Sequence, residues 1–215
     1  MSDEPPRYDP NKWNKNKYVK NSHNCYAYAL NLIYPEYEKQ CEDYMINKNK
    51  KNCSVIKPQP GMYSKNSIIN TDKNKKRYEC KKVQGGLLSD NPFIKISNKD
   101  DISPTGYYKI SLTTNNNGKD YHFYRQDESG YWSHKYGGTK ATNKDKNGGK
   151  IKDPQKIYPK KSEHCGFYLV PVESKLKKMS NGKKIKENFT VQNENSNAEI
   201  LLLIIMIMCI FFKLQ

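Results

Sequence analysis

Three residues of this 215-residue chain have the types and positions to break an amide bond together: Cys25, His122 and His134. A thiol is a weak nucleophile until it ionises. A working cysteine therefore needs a helix N-terminus, whose partial positive charge favours thiolate, and an imidazole within hydrogen-bond reach. The string Ser22-His23-Asn24-Cys25-Tyr26-Ala27-Tyr28 offers the first. Asn21 or Ser22 can cap a helix there, Cys25, Tyr28, Ala29 and Leu32 recur on one face, and Pro35 ends it. Cys25 is thus predicted in the first turn. His122 and His134 lie in a strand-like region and are the candidate base and its orienter.

Which residue orients the base depends on hairpin register. An odd loop between the two strands places His134 on the face of His122. A four-residue loop at 127–130 places Ser133 and Lys135 there instead, and then Ser133 and Asp127 are the alternatives. The Cys25 backbone N–H is expected to meet the oxyanion, with Asn24, Asn21 and Tyr18 as candidate side-chain donors. His23 reads as a solvent-facing residue ahead of the helix, and His164-Cys165 as the start of a strand. Cys25, His122, His134 and Cys165 are also zinc-ligand types. They form no close pair of the CxxC or HxxxH kind, so neither a metal nor any other cofactor is expected.

The elements that must position these residues can be read in outline. Residues 1–20, rich in Pro, Asn, Lys and Tyr, read as an extended arm ahead of a domain over 21–172. Residues 36–60 are polar and close on Lys57-Pro58-Gln59-Pro60-Gly61, which reads as a surface loop. A weaker helix is predicted over 71–83, stopped by Gly85-Gly86. From Gly106 the period becomes that of strands, with GYYKISLTT, KDYHFYRQ and YWSHK as a three-stranded antiparallel meander and Cys165 to Val172 as a last strand. One helix carrying a cysteine and a small antiparallel sheet carrying histidines make an α+β layout. Residues 173–198 read as a polar linker. Residues 199–215 contain 13 consecutive apolar residues, Ile200 to Phe212, and are expected to contact a membrane as a short C-terminal anchor.

Composition narrows the partners. The net charge of +16 comes from 38 Lys+Arg against 22 Asp+Glu. Only Arg7, Arg77 and Arg125 are arginines, the lysines are spread along the whole chain, and no nucleic-acid-binding module is present. No specific nucleic-acid partner is expected. Six cysteines without a CxxC pair suggest a reducing compartment, and the polar N-terminus MSDEPPRYDP has no apolar run, so a cytosolic protein is expected.

The order of a helix-borne Cys, a strand-borne His and a polar residue on the next strand resembles the papain-like cysteine hydrolases, in particular the compact NlpC-type peptidases. The strings that carry this are HNCYAYALN around Cys25, DYHFYRQD around His122 and GYWSHK around His134. With CGFYLVP, they also resemble bacterial and large-DNA-virus proteins with the same motif order, which extends the expected location to an infected host cell or a virion. The resemblance implies a catalytic helix packed on a small antiparallel sheet and acyl transfer from a peptide-like substrate through Cys25 and His122. The alternative it leaves open is an inactive papain-like fold serving as a virion- or membrane-associated binding protein.

Overall fold

Asparagine and aspartate side chains decide where the N-terminal chain becomes helical. In the computed structural model, which describes residues 4–64, 78–115, 118–158 and 161–172, Asp9 accepts the N–H groups of Asn11 and Lys12 and opens α1 (Pro10–Asn14). Asn16 does the same for Tyr18 and Val19 at the start of α2 (Lys17–Ser22). The stretch read as an extended arm is therefore two short helices, whose Trp13 and Val19 are buried. Extended backbone at His23 and Asn24 then breaks the chain before α3 (Cys25–Ala29). Pro35, predicted to end a single helix running from Ser22, instead sits in the first turn of α4 (Pro35–Asn47), where its missing N–H costs nothing. The first part of the segment read as a surface loop, up to Asn47, is thus helix. Only Tyr37, Cys41 and Met45 are buried along α4, a stripe too thin to stand out among its charged residues.

The Gly85-Gly86 pair does not stop a helix. α5 (Cys80–Asp90) runs through both glycines. The reason is a close approach: a Cβ on Gly86 would lie 2.7 Å from the Pro60 carbonyl carbon and 2.8 Å from the Gly61 nitrogen, whereas one on Gly85 meets nothing within 4 Å. At the end of α5 the buried Asp90 carboxylate accepts the N–H groups of Gly61 (2.7 Å) and Tyr63 (3.0 Å) and the Tyr26 hydroxyl (2.8 Å). The 58–64 segment is thereby tied to α5 on one side and to α3 on the other. Residues 71–77 of the helix expected over 71–83 lie outside the described residues.

The sheet is wholly antiparallel, in the order β1-β6-β2-β3-β4-β5, from β1 (Lys95–Ser97), β2 (Tyr107–Asn115), β3 (Asp120–Gln126), β4 (Trp132–Lys135), β5 (Ala141–Thr142) and β6 (Glu163–Pro171). β2, β3 and β4 are the expected meander, and the last strand inserts between β1 and β2. Alternation sends Tyr108, Ile110, Leu112, Tyr121 and Phe123 to one face, where they join Tyr26, Ala27, Leu30, Val83 and Leu87 in the main core. The opposite face carries Tyr124, Trp132 and Phe167, packed with Ile151. This arrangement is α+β.

Four of the six cysteines are paired, Cys41 with Cys53 and Cys80 with Cys165, which corrects the expectation of reduced thiols. No helix among the described residues is long and apolar enough to cross a membrane, and the linker and apolar run of 173–215 lie outside those residues.

Two outcomes test this packing. Gly86→Ala is expected to destabilise by about 1–3 kcal/mol through the clash with Pro60 and Gly61, while Gly85→Ala gains about 0.5–1 kcal/mol from its helix-interior position; urea unfolding of both variants checks the contrast. Chain entropy alone makes reduction of the Cys80–Cys165 crosslink, with its 85-residue separation, worth about 4–5 kcal/mol against about 3 kcal/mol for Cys41–Cys53. Single Cys→Ser variants at Cys165 and Cys53 read that ranking.

Candidate active site

Cys25 reaches its place because Asn24 is spent on the turn before it. The Asn24 Oδ1 accepts the Ala27 N–H at 3.2 Å and caps α3, and its Nδ2 donates to Pro58 O at 2.6 Å and to the Tyr121 hydroxyl at 3.3 Å. That hydroxyl in turn donates to Gln59 Oε1 at 2.7 Å. Asn24 is committed by these bonds, and Asn21 Nδ2 likewise donates to Lys17 O at 2.8 Å. Neither is a free oxyanion donor. Of the N–H groups in the first turn of α3, that of Ala27 is taken by Asn24, and that of Cys25 remains for the role.

The thiol rests against the main chain of β3. Its S–H points to Tyr121 O at 4.0 Å, and the Phe123 N–H points back at the sulfur. Cys25 therefore lies alongside the backbone of the residue between them, His122. No hydrogen bond joins Cys25 to His122 among the described residues. Cys25 is the free cysteine of the described residues, and burial pushes its pKa up, to about 12. The amides of Phe123 and Tyr26 and the Lys135 ammonium pull the other way, and Asp120 adds to the rise. The expected helix-end activation is small beside this, since α3 is only five residues long. The resting sulfur is a neutral thiol.

The hairpin register is the odd one. Gln126 pairs with Trp132 and Tyr124 with His134, so residues 127–131 form the loop and His134 shares the face of His122. Their rings meet through His122 Nε2 and His134 Nδ1 at 3.0 Å. Ser133, Asp127 and Lys135 lie elsewhere: the Tyr28 hydroxyl donates to Ser133 Oγ at 2.7 Å, and Asp127 pairs with the buried Arg125 at 3.0 Å. Ser133 and Asp127 are thereby removed as orienters of His122.

Proton positions in the imidazole pair follow from its surroundings. The main chain of Lys144 acts on His134 and favours protonation there; with that proton on Nε2, the Nδ1 of His134 is an acceptor. His122 must then donate through Nε2, which leaves its Nδ1 with a bare lone pair. The His122 ring leaves β3 on the face of Tyr124 and His134, whereas Cys25 packs with Tyr121 and Phe123 on the other face, so the main chain of β3 lies between thiol and imidazole. Burial, and then the neighbouring His134, hold His122 well below the usual imidazole range, and burial lowers His134 to about 4. Tyr136 stacks on His122 with ring centroids 4.1 Å apart, and Tyr124 meets it edge-on at 4.8 Å.

His23 is fully buried rather than solvent-facing. Its Nε2 accepts the Tyr34 N–H at 2.8 Å and its Nδ1 reaches Val19 O at 3.2 Å, so it locks the α2–α3 junction to the start of α4. His164 contacts Ser111 and Gln155, away from Cys25, on the strand β6 that its position predicted. Cys165 is consumed by its disulfide and cannot serve as a metal ligand. Among the described residues no group of three or more His, Cys, Asp or Glu is arranged to hold a metal.

No family model matches the chain, and no solved structure matches it. It is 60% identical over 38 residues to insoluble matrix shell protein 1 of Ruditapes philippinarum, a match covering 18% of this chain and 26% of that protein. The chain thus spans about a quarter of that relative's length.

The buried imidazoles set an acid limit. A histidine whose pKa is lowered by folding stays neutral in the fold while the unfolded chain takes up a proton below 6.5. Its stabilisation is fully present above pH 6.5 and is lost as pH falls toward the folded value, about 4 for both His23 and His134. Each shift corresponds to about 3 kcal/mol. Asp90, raised by burial to about 6, has the opposite sign and offsets a similar amount between pH 6 and 4. Four lowered histidines, His23, His122, His134 and the partly exposed His164, outweigh two raised aspartates, Asp90 and Asp127. The expected net loss between pH 7 and pH 4.5 is about 3 kcal/mol or more, read as a lower urea midpoint at pH 4.5; an equal midpoint contradicts it.

Proposed function

We propose that the chain is a papain-like thiol hydrolase that cleaves an amide bond of a peptide or peptide-like substrate. The observation that supports this is the meeting of the two elements on β3: the Cys25 thiol rests on the main chain of Tyr121 and Phe123, on either side of His122, whose ring is bonded to that of His134. The His122 ring leaves β3 on the other face, with Tyr124 and His134, so the reaction requires it to turn toward the thiol. In the reaction the Cys25 S–H proton passes to His122 Nδ1 as the sulfur bonds to the substrate carbonyl carbon. The oxyanion is met by the N–H of Cys25 in the first turn of α3. His122 returns the proton to the leaving nitrogen, the C–N bond breaks, and a thioester remains. Water then attacks, gives a proton to His122, and releases the acid as the thiol is restored. Because the resting thiol is buried and neutral, proton transfer is coupled to substrate entry.

A second reading is an inactive descendant of that fold acting as an extracellular matrix component. The two disulfides suit an oxidising compartment rather than the cytosol expected from the sequence. The short match to a protein named for an insoluble shell matrix supports the same reading.

A peptidyl fluoromethyl ketone separates the two, because its amide backbone enters a substrate groove and its carbon traps an activated thiol. The hydrolase reading expects Cys25 to be labelled at pH 7 at least about a hundredfold faster than in the unfolded chain. His122→Ala should slow this by about 10²–10⁴, the range of a general base. Labelling no faster than in the unfolded chain, with His122→Ala without effect, leaves the matrix reading.

A further inference from the structure

Lys135 is the charged group in this region that the proposed reaction does not use. It lies on β4 one residue beyond His134, its side chain points to the opposite face, and it is fully buried. Its Nζ donates to three main-chain carbonyls, Lys20, His23 and Gly137, each at 2.7 Å. Three acceptors match the three N–H bonds of an ammonium. A neutral amine has two N–H bonds and would turn its lone pair toward the third carbonyl, so the geometry calls for the charged form.

That charge is enclosed without a carboxylate, since Lys135 belongs to none of the ion pairs among the described residues. A buried cation with no counter-anion is costly. The acidic group that acts on it is the Cys25 thiol, while Lys20 and Lys57 oppose its charge and burial draws its pKa down, to about 7. One of the carbonyls it holds belongs to His23, two residues ahead of Cys25 in the turn that aims the thiol at β3.

We propose that Lys135 is a positioning residue and the fixed cation of the Cys25 site, clamping the His23–Asn24 turn and stabilising the thiolate after His122 has taken its proton. The proposal rests on the Cys-His reading above. The other groups acting on Cys25 are Asp120, which disfavours the thiolate, and the amides of Tyr26 and Phe123, which favour it. The phenols of Tyr121 and Tyr124 are also within electrostatic range.

The test compares an anionic and a neutral reagent at Cys25 of the full, disulfide-intact chain at pH 8: iodoacetate against iodoacetamide, read by peptide mapping. The same chain unfolded in urea has the same net charge and serves as the reference. A fixed cation at the sulfur raises the iodoacetate-to-iodoacetamide ratio of the folded wild type above the unfolded value, by about tenfold for one pKa unit of charge stabilisation. Lys135→Gln should return the ratio to the unfolded value, and Lys135→Arg should keep it raised. A destabilised control away from the site, Met45→Ala on α4, should leave it unchanged. If Lys135→Gln does not fold, the wild-type ratio decides: a ratio equal to the unfolded one overturns the proposal, as does a raised ratio that survives in a folded Lys135→Gln. A raised ratio lost in Lys135→Gln, together with fluoromethyl ketone labelling that ignores His122→Ala, would keep the Lys135 charge and discard the Cys-His reading. The reverse pattern would discard Lys135 alone.

Discussion

The site depends on one constraint, the register of the hairpin between β3 and β4. Side chains alternate faces, so one residue more or fewer in the 127–131 loop would exchange His134 for Ser133 or Lys135 beside His122. With the observed register, two imidazoles share one face while Arg125, Ser133 and Lys135 share the other. The first face holds a proton chain. The second holds the bonds that tie the sheet to the N-terminal helices: Arg125 to Tyr28 O and Asn31 Oδ1, Ser133 to the Tyr28 hydroxyl, and Lys135 to the Lys20 and His23 carbonyls.

Those ties explain how a helix as short as α3 can place a thiol reproducibly. Five residues have little helical stability of their own. Position comes instead from polar side chains buried with their partners: Asn24 on Pro58, Tyr26 on Asp90, His23 on Tyr34 and Lys135 on His23. Asp90 also holds Gly61 and Tyr63, so α5 sets the 58–64 segment that bonds Tyr121 and Asn24 beside the thiol. Gly86 is the point where α5 and that segment touch, and a side chain there would separate them.

The strands of the meander were legible because alternation of Tyr, Ile and Phe with polar residues is a local signal, and Cys25 at a helix start was legible from the run that follows it. The rest depended on long-range bonds. α1 and α2 were hidden because Asp9 and Asn16 caps read equally well as loop polarity, and α4 because three buried residues in thirteen make a weak stripe. His23 reads as exposed in a polar string, yet its burial is decided by Tyr34, eleven residues on, and by Lys135. Gly85-Gly86 carries a helix-stop signal that a tertiary contact overrides. The pairing of Cys80 with Cys165 joins elements that no spacing rule connects. Lys135 is one of many lysines spread along the chain, and the one local hint to its burial is its place in a strand beside Trp132 and His134.

The most direct measurement of the central claim is an imidazole ¹H–¹⁵N correlation spectrum of the protein at pH 7 with His122 and His134 assigned. The account predicts His122 protonated at Nε2 with a bare Nδ1, His134 protonated at Nε2 with an accepting Nδ1, and a change in the His122 Nδ1 resonance when Cys25 is replaced by Ser. A His122 protonated at Nδ1 and bare at Nε2, indifferent to Cys25→Ser, would contradict it.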